Sequence, residues 1–146
     1  MRVVADTGPI VAAANVKDEA HALAAALMTE LGRDLVVPDP VIVEVDHLLR
    51  ARVGIASARL FLAALVDGEH LVGFLTPALL KRAAAIDERA GDLDLGLADA
   101  AVMAYAERHR LPILTFDFAH FRATKPRRGY WRLVVDEARY REATGR

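Results

Sequence analysis

Apolar residues follow two rhythms along the chain. Short continuous runs rich in β-branched residues alternate with longer stretches in which apolar positions recur every three or four residues. The runs are Arg2 to Ala5, Leu35 to Val37, His70 to Leu75, Pro112 to Phe116 and Trp131 to Val135, and they read as strands. Between them the spacing predicts helices. The first is an Ala-rich stretch from the Thr7-Gly8-Pro9 turn to Asn15, and the second is capped by Asp18 and runs to about Leu31. A third follows the Asp39-Pro40 cap and proline and reaches about Arg52, and a fourth runs from Gly54 through Val66. A fifth follows Thr76-Pro77 to near Gly91, and the last spans Leu97 to His109. Strands that alternate with helices imply an α/β fold with a mostly parallel sheet covered on both faces.

At 146 residues, with 54% hydrophobic and 27% charged positions, the chain suits one domain with a sizeable core, residues 1–146, ending in a polar tail over 136–146. Leu60 to Val66, as long as any apolar stretch in the chain, is far too short for a membrane span, and Asp6 interrupts any secretory core, so a cytoplasmic protein without membrane contact is expected. With no cysteine, disulfides, thiolate zinc sites and cysteine nucleophiles are excluded. The formal net charge of -1 conceals an asymmetry: residues 1–107 hold 9 basic and 16 acidic groups, and residues 108–146 hold 10 basic and 4 acidic. An anionic site beside a surface that attracts polyanions fits that distribution.

Four acids stand out by position. Asp6 closes the first strand and Asp117 follows the fourth, and strand carboxyl ends are where parallel α/β sheets bind ligands. Glu44 shares helical offsets with Val41, Val45 and Leu48, and Asp99 with Val102, Met103 and Ala106, so both carboxylates are expected on apolar faces. A buried carboxylate needs a compensating cation or shifts its pKa until neutral. No lysine or arginine stands within three residues of Asp6, Asp99 or Asp117. A hard divalent cation is the natural counter-charge, Mg²⁺ or Mn²⁺ rather than zinc, because the donors are oxygens. Such an ion can activate water for attack on a phosphodiester. Taken singly, Asp6, Asp99 and Asp117 fit capping or turn roles equally well, and Glu44 fits a solvated helix face. Asp92 and Asp94, in the Gly91–Gly96 loop, read as solvated loop residues. Thr115, two residues before Asp117, is placed to hydrogen-bond a metal-bound water or simply to pack in a strand.

Four segments carry a resemblance: Val4-Ala5-Asp6-Thr7-Gly8-Pro9, Val41-Ile42-Val43-Glu44-Val45, Asp92-Leu93-Asp94-Leu95-Gly96-Leu97-Ala98-Asp99-Ala100 and Leu114-Thr115-Phe116-Asp117-Phe118-Ala119-His120-Phe121. In order and spacing, over about residues 1–135, the chain resembles the PIN-domain ribonucleases, and among them the VapC toxins of toxin-antitoxin modules. The resemblance implies a PIN-like three-layer α/β/α domain with a short, mostly parallel central sheet surrounded by helices. It also implies that Asp6, Glu44, Asp99 and Asp117 are the catalytic, Mg²⁺-binding quartet, with Mn²⁺ as a substitute. It further implies hydrolysis of RNA such as tRNA or ribosomal RNA, a homodimer, and silencing by a cognate antitoxin protein. Asp94 departs from the pattern, since many relatives carry proline there.

An acidic centre repels RNA unless cations surround it. Arg122, Lys125, Arg127 and Arg128, followed by Arg132, form an acid-free basic run suited to phosphate contact. The adjoining Tyr130 and Trp131 read as strand anchors sooner than as base-stacking groups. His47 and His120 stand near the acids, but neither makes a compelling acid-base pair, so both are assigned surface or supporting roles. An aspartic protease, suggested by Asp6-Thr7-Gly8, conflicts with the helical pattern. The alternative of a different kind is a non-catalytic RNA- or antitoxin-binding module with a PIN-like fold; such a module would bind RNA with or without Mg²⁺ and leave it intact. Alanine-rich faces at Ala22 to Ala26 and Ala83 to Ala85 suit packing against a partner or internally.

Overall fold

The computed structural model describes residues 1–146. Four short parallel strands, β1 (Val3–Ala5), β2 (Leu35–Pro38), β3 (Leu71–Gly73) and β4 (Ile113–Leu114), form one sheet in the order β3-β2-β1-β4. Pairing registers Val4 on Val36 and on Ile113, and Val37 on Val72. Eight helices surround the sheet: α1 (Thr7–Ala14), α2 (His21–Leu31), α3 (Asp39–Arg52), α4 (Ile55–Val66), α5 (Pro77–Ala90), α6 (Gly96–His109), α7 (Phe118–Ala123) and α8 (Glu137–Thr144). None is long and apolar enough to cross a membrane.

The core is built from the sheet outward. Val3, Val4, Ala5, Leu35, Val37, Ile113 and Leu114 are buried on strands that read as continuous apolar runs because both faces are covered. Val41, Val45 and Leu49 of α3 and Ala100 to Ala104 of α6 close over them. Each fully buried aliphatic side chain contributes about 1.5–3 kcal/mol of transfer free energy. The alanine-rich faces pack internally at Ala24 and Ala83, both fully buried, the first with Ala12 and Ala20 between α1 and α2. Gly73 is required by close approach: a Cβ there would lie 2.9 Å from both Tyr105 and Val36.

The chain builds β1, β2 and β3 in one direction, then crosses back to lay β4 on the other side of β1. The reversal opens a crevice between the carboxyl ends of β1 and β4, the position at which open α/β sheets bind ligands.

Several expectations are corrected. The expected strand over Trp131–Val135 reduces to one parallel bridge, Ile113 with Leu133. The polar tail is a helix, α8, capped by Asp136 and anchored by Tyr140 against Phe116 and Phe118, with ring centroids 4.8 and 5.5 Å apart. The fourth strand stops at Leu114, because Thr115 turns toward Asp6 and Asp117 caps the short α7. Asp18 does not cap α2 directly; its carboxylate accepts from the Ala20 amide in the preceding turn. Asp39 lies inside the first turn of α3 and reaches across to the Leu75 amide, 3.1 Å away, tying the end of β3 to the helix. Thr76 caps α5 as its sequence predicts, accepting from the Leu79 amide at 3.2 Å.

Candidate active site

Asp6 sits at the end of β1 and is 3% exposed. Its position follows from a β-prone run meeting a Thr-Gly-Pro turn. Oδ1 caps α1 by accepting from the Thr7 amide at 2.8 Å, and Oδ2 accepts from the Thr115 hydroxyl at 2.7 Å. Burial raises its pKa from 3.8 to about 7, helped by the negative charges of Asp99 and Asp117 and opposed by the Thr115 and Thr7 hydrogen bonds. Thr115 is fully buried and serves two acids at once, because its hydroxyl oxygen also accepts from the Asp117 amide at 3.0 Å.

Asp99 lies in the first turn of α6. Its pKa is raised, first by burial and then by the charges of Asp117 and Glu44, while a hydrogen bond and charge from His120 pull it down. Asp117 caps α7 through the His120 amide at 3.2 Å. The cap folds the His120 ring back over the acids, placing Nδ1 2.8 Å from Asp99 Oδ2 and 2.7 Å from Asp117 Oδ2. Through this one nitrogen the ring bridges two carboxylates. The sequence reading gave His120 no such pairing; the signal available was its i, i+3 spacing from a capping aspartate, which returns the ring to that acid. His47 is exposed.

Glu44 does not point into the core. The buried face of α3 is Val41, Val45 and Leu49, and Glu44 stands exposed on its flank. It is nevertheless turned toward the acids, since Oε2 accepts from the Thr7 hydroxyl at 3.1 Å and its charge is felt at Asp99. The four acids thus share one electrostatic neighbourhood, but the tightest group of potential ligands is Asp99, Asp117 and His120, whose donor atoms lie within 4.8 Å of one another. Hard carboxylate oxygens with one imidazole nitrogen, and two acids whose pKa values burial and mutual repulsion raise, fit a divalent cation of the Mg²⁺ or Mn²⁺ type. Asp92 and Asp94 are exposed, and Asp94 takes a left-handed φ of 50° that a proline could not adopt.

The basic run divides by partner. Arg122 is ion-paired with Glu137, and Arg127 lies 3.8 Å from Glu107 and donates its amide to the same carboxylate at 3.0 Å. Lys125 and Arg128 are exposed and have no acidic partner. The two aromatics also separate: Trp131 packs edge-on against Phe121 and donates Nε1 to Thr124 at 3.1 Å, whereas Tyr130 is 87% exposed.

A parallel sheet with acids gathered at its switch point defines an α/β domain with a candidate cation site. Comparison with known proteins fixes the family. Residues 3–126 match the PIN domain family, and the chain belongs to that family. A curated relative, Ribonuclease VapC26 of Mycobacterium tuberculosis, is 31% identical over 125 residues, covering 85% of this chain and 93% of its own. The crystal structure of M. tuberculosis VapC20, described as a sarcin-ricin loop cleaving toxin, superposes with a TM-score of 0.75 at 21% identity, covering 83% of this chain and 94% of that one. Within the PIN family this chain is of the VapC type.

Proposed function

We propose that the chain is a divalent-metal-dependent endoribonuclease, the toxin of a toxin-antitoxin module, hydrolysing phosphodiester bonds in structured RNA such as tRNA or ribosomal RNA. The observation that carries this reading is the convergence of Asp6, Glu44, Asp99 and Asp117 from four separate elements on one crevice, where burial and mutual repulsion raise the pKa of Asp6 to about 7. These four would hold Mg²⁺, with Mn²⁺ as a substitute. When bound, the cation supplies Lewis-acid activation of water and of the scissile phosphate.

The chain's own residues do the rest. The Thr115 hydroxyl fixes the Asp6 carboxylate and, through the Asp117 amide, sets the start of α7. His120 orients the Asp99 and Asp117 carboxylates through Nδ1. Lys125, with Arg122, Arg127 and Arg128 of the same basic run, supplies the positive surface that draws in a phosphate backbone which the acidic centre repels. A cognate antitoxin, a homodimeric state and a cytoplasmic location complete the proposal; membership of the VapC type supports the antitoxin.

The test is cleavage of defined RNAs with Mg²⁺, with Mn²⁺ and with EDTA. Cleavage with either metal, lost on Asp6→Asn or Asp99→Asn in variants that keep their far-UV circular dichroism, is the expected result. Full cleavage in excess EDTA refutes the metal. RNA bound equally with and without Mg²⁺ but never cut establishes instead a binding module with this fold.

A further inference from the structure

A second charged feature lies at the other end of α6. A cavity of about 1050 Å³ opens where the carboxyl end of α6, the amino end of α5 and the loop before Leu133 meet, and its lining includes Arg82, Arg108, Arg110, Arg127, Arg128 and Arg132. Glu107 is the one carboxylate among the lining residues, and it is already committed: Arg82 holds both of its oxygens, at 2.8 and 2.9 Å, and the Arg127 amide donates to it as well. Arg132 is fastened to the Arg110 carbonyl at 2.7 Å. Arg108, Arg110 and Arg128 have no acidic partner. The negative end of a helix dipole, worth about half a charge, accounts for one or two of these cations and not for six. Arg110 also takes a left-handed backbone, φ 55° and ψ 48°, at the helix end where glycine is the unstrained choice. Tyr130 lines the same cavity and is 87% exposed as a residue.

We propose that this cavity is a second RNA site, which holds an unpaired nucleotide with its phosphate on Arg108, Arg110 and Arg128 and its base stacked on Tyr130. Guanidinium groups match phosphate oxygens, and an exposed aromatic face beside them is what an unstacked base requires. Eight residues of α6 separate Glu107 from Asp99, about 12 Å along the axis, so the cavity grips RNA outside the crevice where the acids meet. The inference rests on RNA as the ligand and not on cleavage, so binding here is independent of the metal.

The experiment measures fluorescence anisotropy of an unpaired, end-labelled RNA of about a dozen nucleotides, in EDTA and over a series of salt concentrations. Arg108→Ala, Arg128→Ala and Arg110→Gly, the last of which relaxes the backbone, are each expected to weaken binding several-fold and to reduce the salt slope by about 0.7. Tyr130→Ala is expected to weaken it about tenfold with the slope unchanged, and Tyr130→Phe to restore it. Affinities and slopes equal to the parent's in all of these variants overturn the site. So does unchanged RNA binding combined with lost binding of a glutamate-rich peptide, which assigns the cavity to a protein partner. Cleavage by the parent in Mg²⁺ is scored separately. Its absence with the anisotropy effects intact sinks the nuclease and leaves this site, and the converse sinks the site alone.

Discussion

Replacing Asp6 by asparagine is expected to stabilise the metal-free protein at alkaline pH while abolishing its activity. The native carboxyl has its pKa raised to about 7 from 3.8, chiefly by burial and then by the charge of Asp99. Between those two values the folded chain binds a proton that the unfolded chain has released, so stability falls as pH rises through this window and levels off above it. At 1.36 kcal/mol per unit, the ionised carboxylate costs about 4 kcal/mol at pH 8 relative to a group with an unshifted pKa. Asparagine removes that cost, but it presents an amide where the Thr115 hydroxyl had an acceptor, which returns about 1 kcal/mol. The net gain at pH 8 is about 3 kcal/mol; at pH 5, about 1.2 units into the window, the carboxyl costs only about 1.6 kcal/mol and the net gain falls to about 0.6 kcal/mol. Urea unfolding in EDTA at both pH values, with an m-value of about 2 kcal/mol per M, reads this as a midpoint shift of about 1.5 M at pH 8 and little at pH 5. A variant no more stable than the parent at pH 8, or a difference that does not change with pH, refutes the electrostatic account of the site.

The same destabilisation should be relieved by a cation: Mn²⁺ or Mg²⁺ at a hundredfold excess over its Kd is expected to raise parent stability by about 2.7 kcal/mol at pH 8, seen as a higher Tm, and Asp99→Asn should lose most of that gain. Glu107→Gln should destabilise by about 1–3 kcal/mol in urea unfolding, because Arg82, with its side chain only 15% exposed, loses its bidentate partner. Asp94→Gly should stabilise by about 0.5–1 kcal/mol, since glycine adopts the left-handed φ of 50° without strain, whereas Asp94→Pro should lower Tm because its ring cannot.

The acids were legible from position and the histidine that meets them was not. Asp6 and Asp117 announce themselves because each directly follows a β-branched or aliphatic run, and in a parallel sheet that place is an end facing ligand. Asp99 announces itself by offset from Val102, Met103 and Ala106, all buried. Glu44 was misjudged on the same logic, because an i, i+3, i+4 pattern defines a stripe without marking its edges: the buried row is Val41, Val45 and Leu49, and Glu44 falls on its flank. His120 was missed because its contact with Asp99 spans 21 residues and depends on the α7 cap. Helices α7 and α8 were missed for a related reason. The six residues of α7 are too few to display a period, and α8 is polar with one anchoring ring, Tyr140.

The capping and ligand-binding readings of these acids, which compete when only the sequence is considered, are compatible in the folded chain. Asp6 caps α1, Asp117 caps α7, and Asp99 occupies the first turn of α6, so three helix amino ends, α1 and α6 foremost, point their partial positive charge at one crevice. Each helix end offsets a fraction of a negative charge, on the order of 0.3–1 kcal/mol, and the Thr115 hydroxyl and the His120 imidazole add directed partners. These contributions are smaller than the cost of burying Asp6 in ionised form. The local structure therefore holds the carboxylates in position without neutralising them, and the charge left over is what would give the site an affinity for a divalent ion. A fold that satisfied the acids completely, with an arginine beside each, would be more stable and would have no reason to bind one.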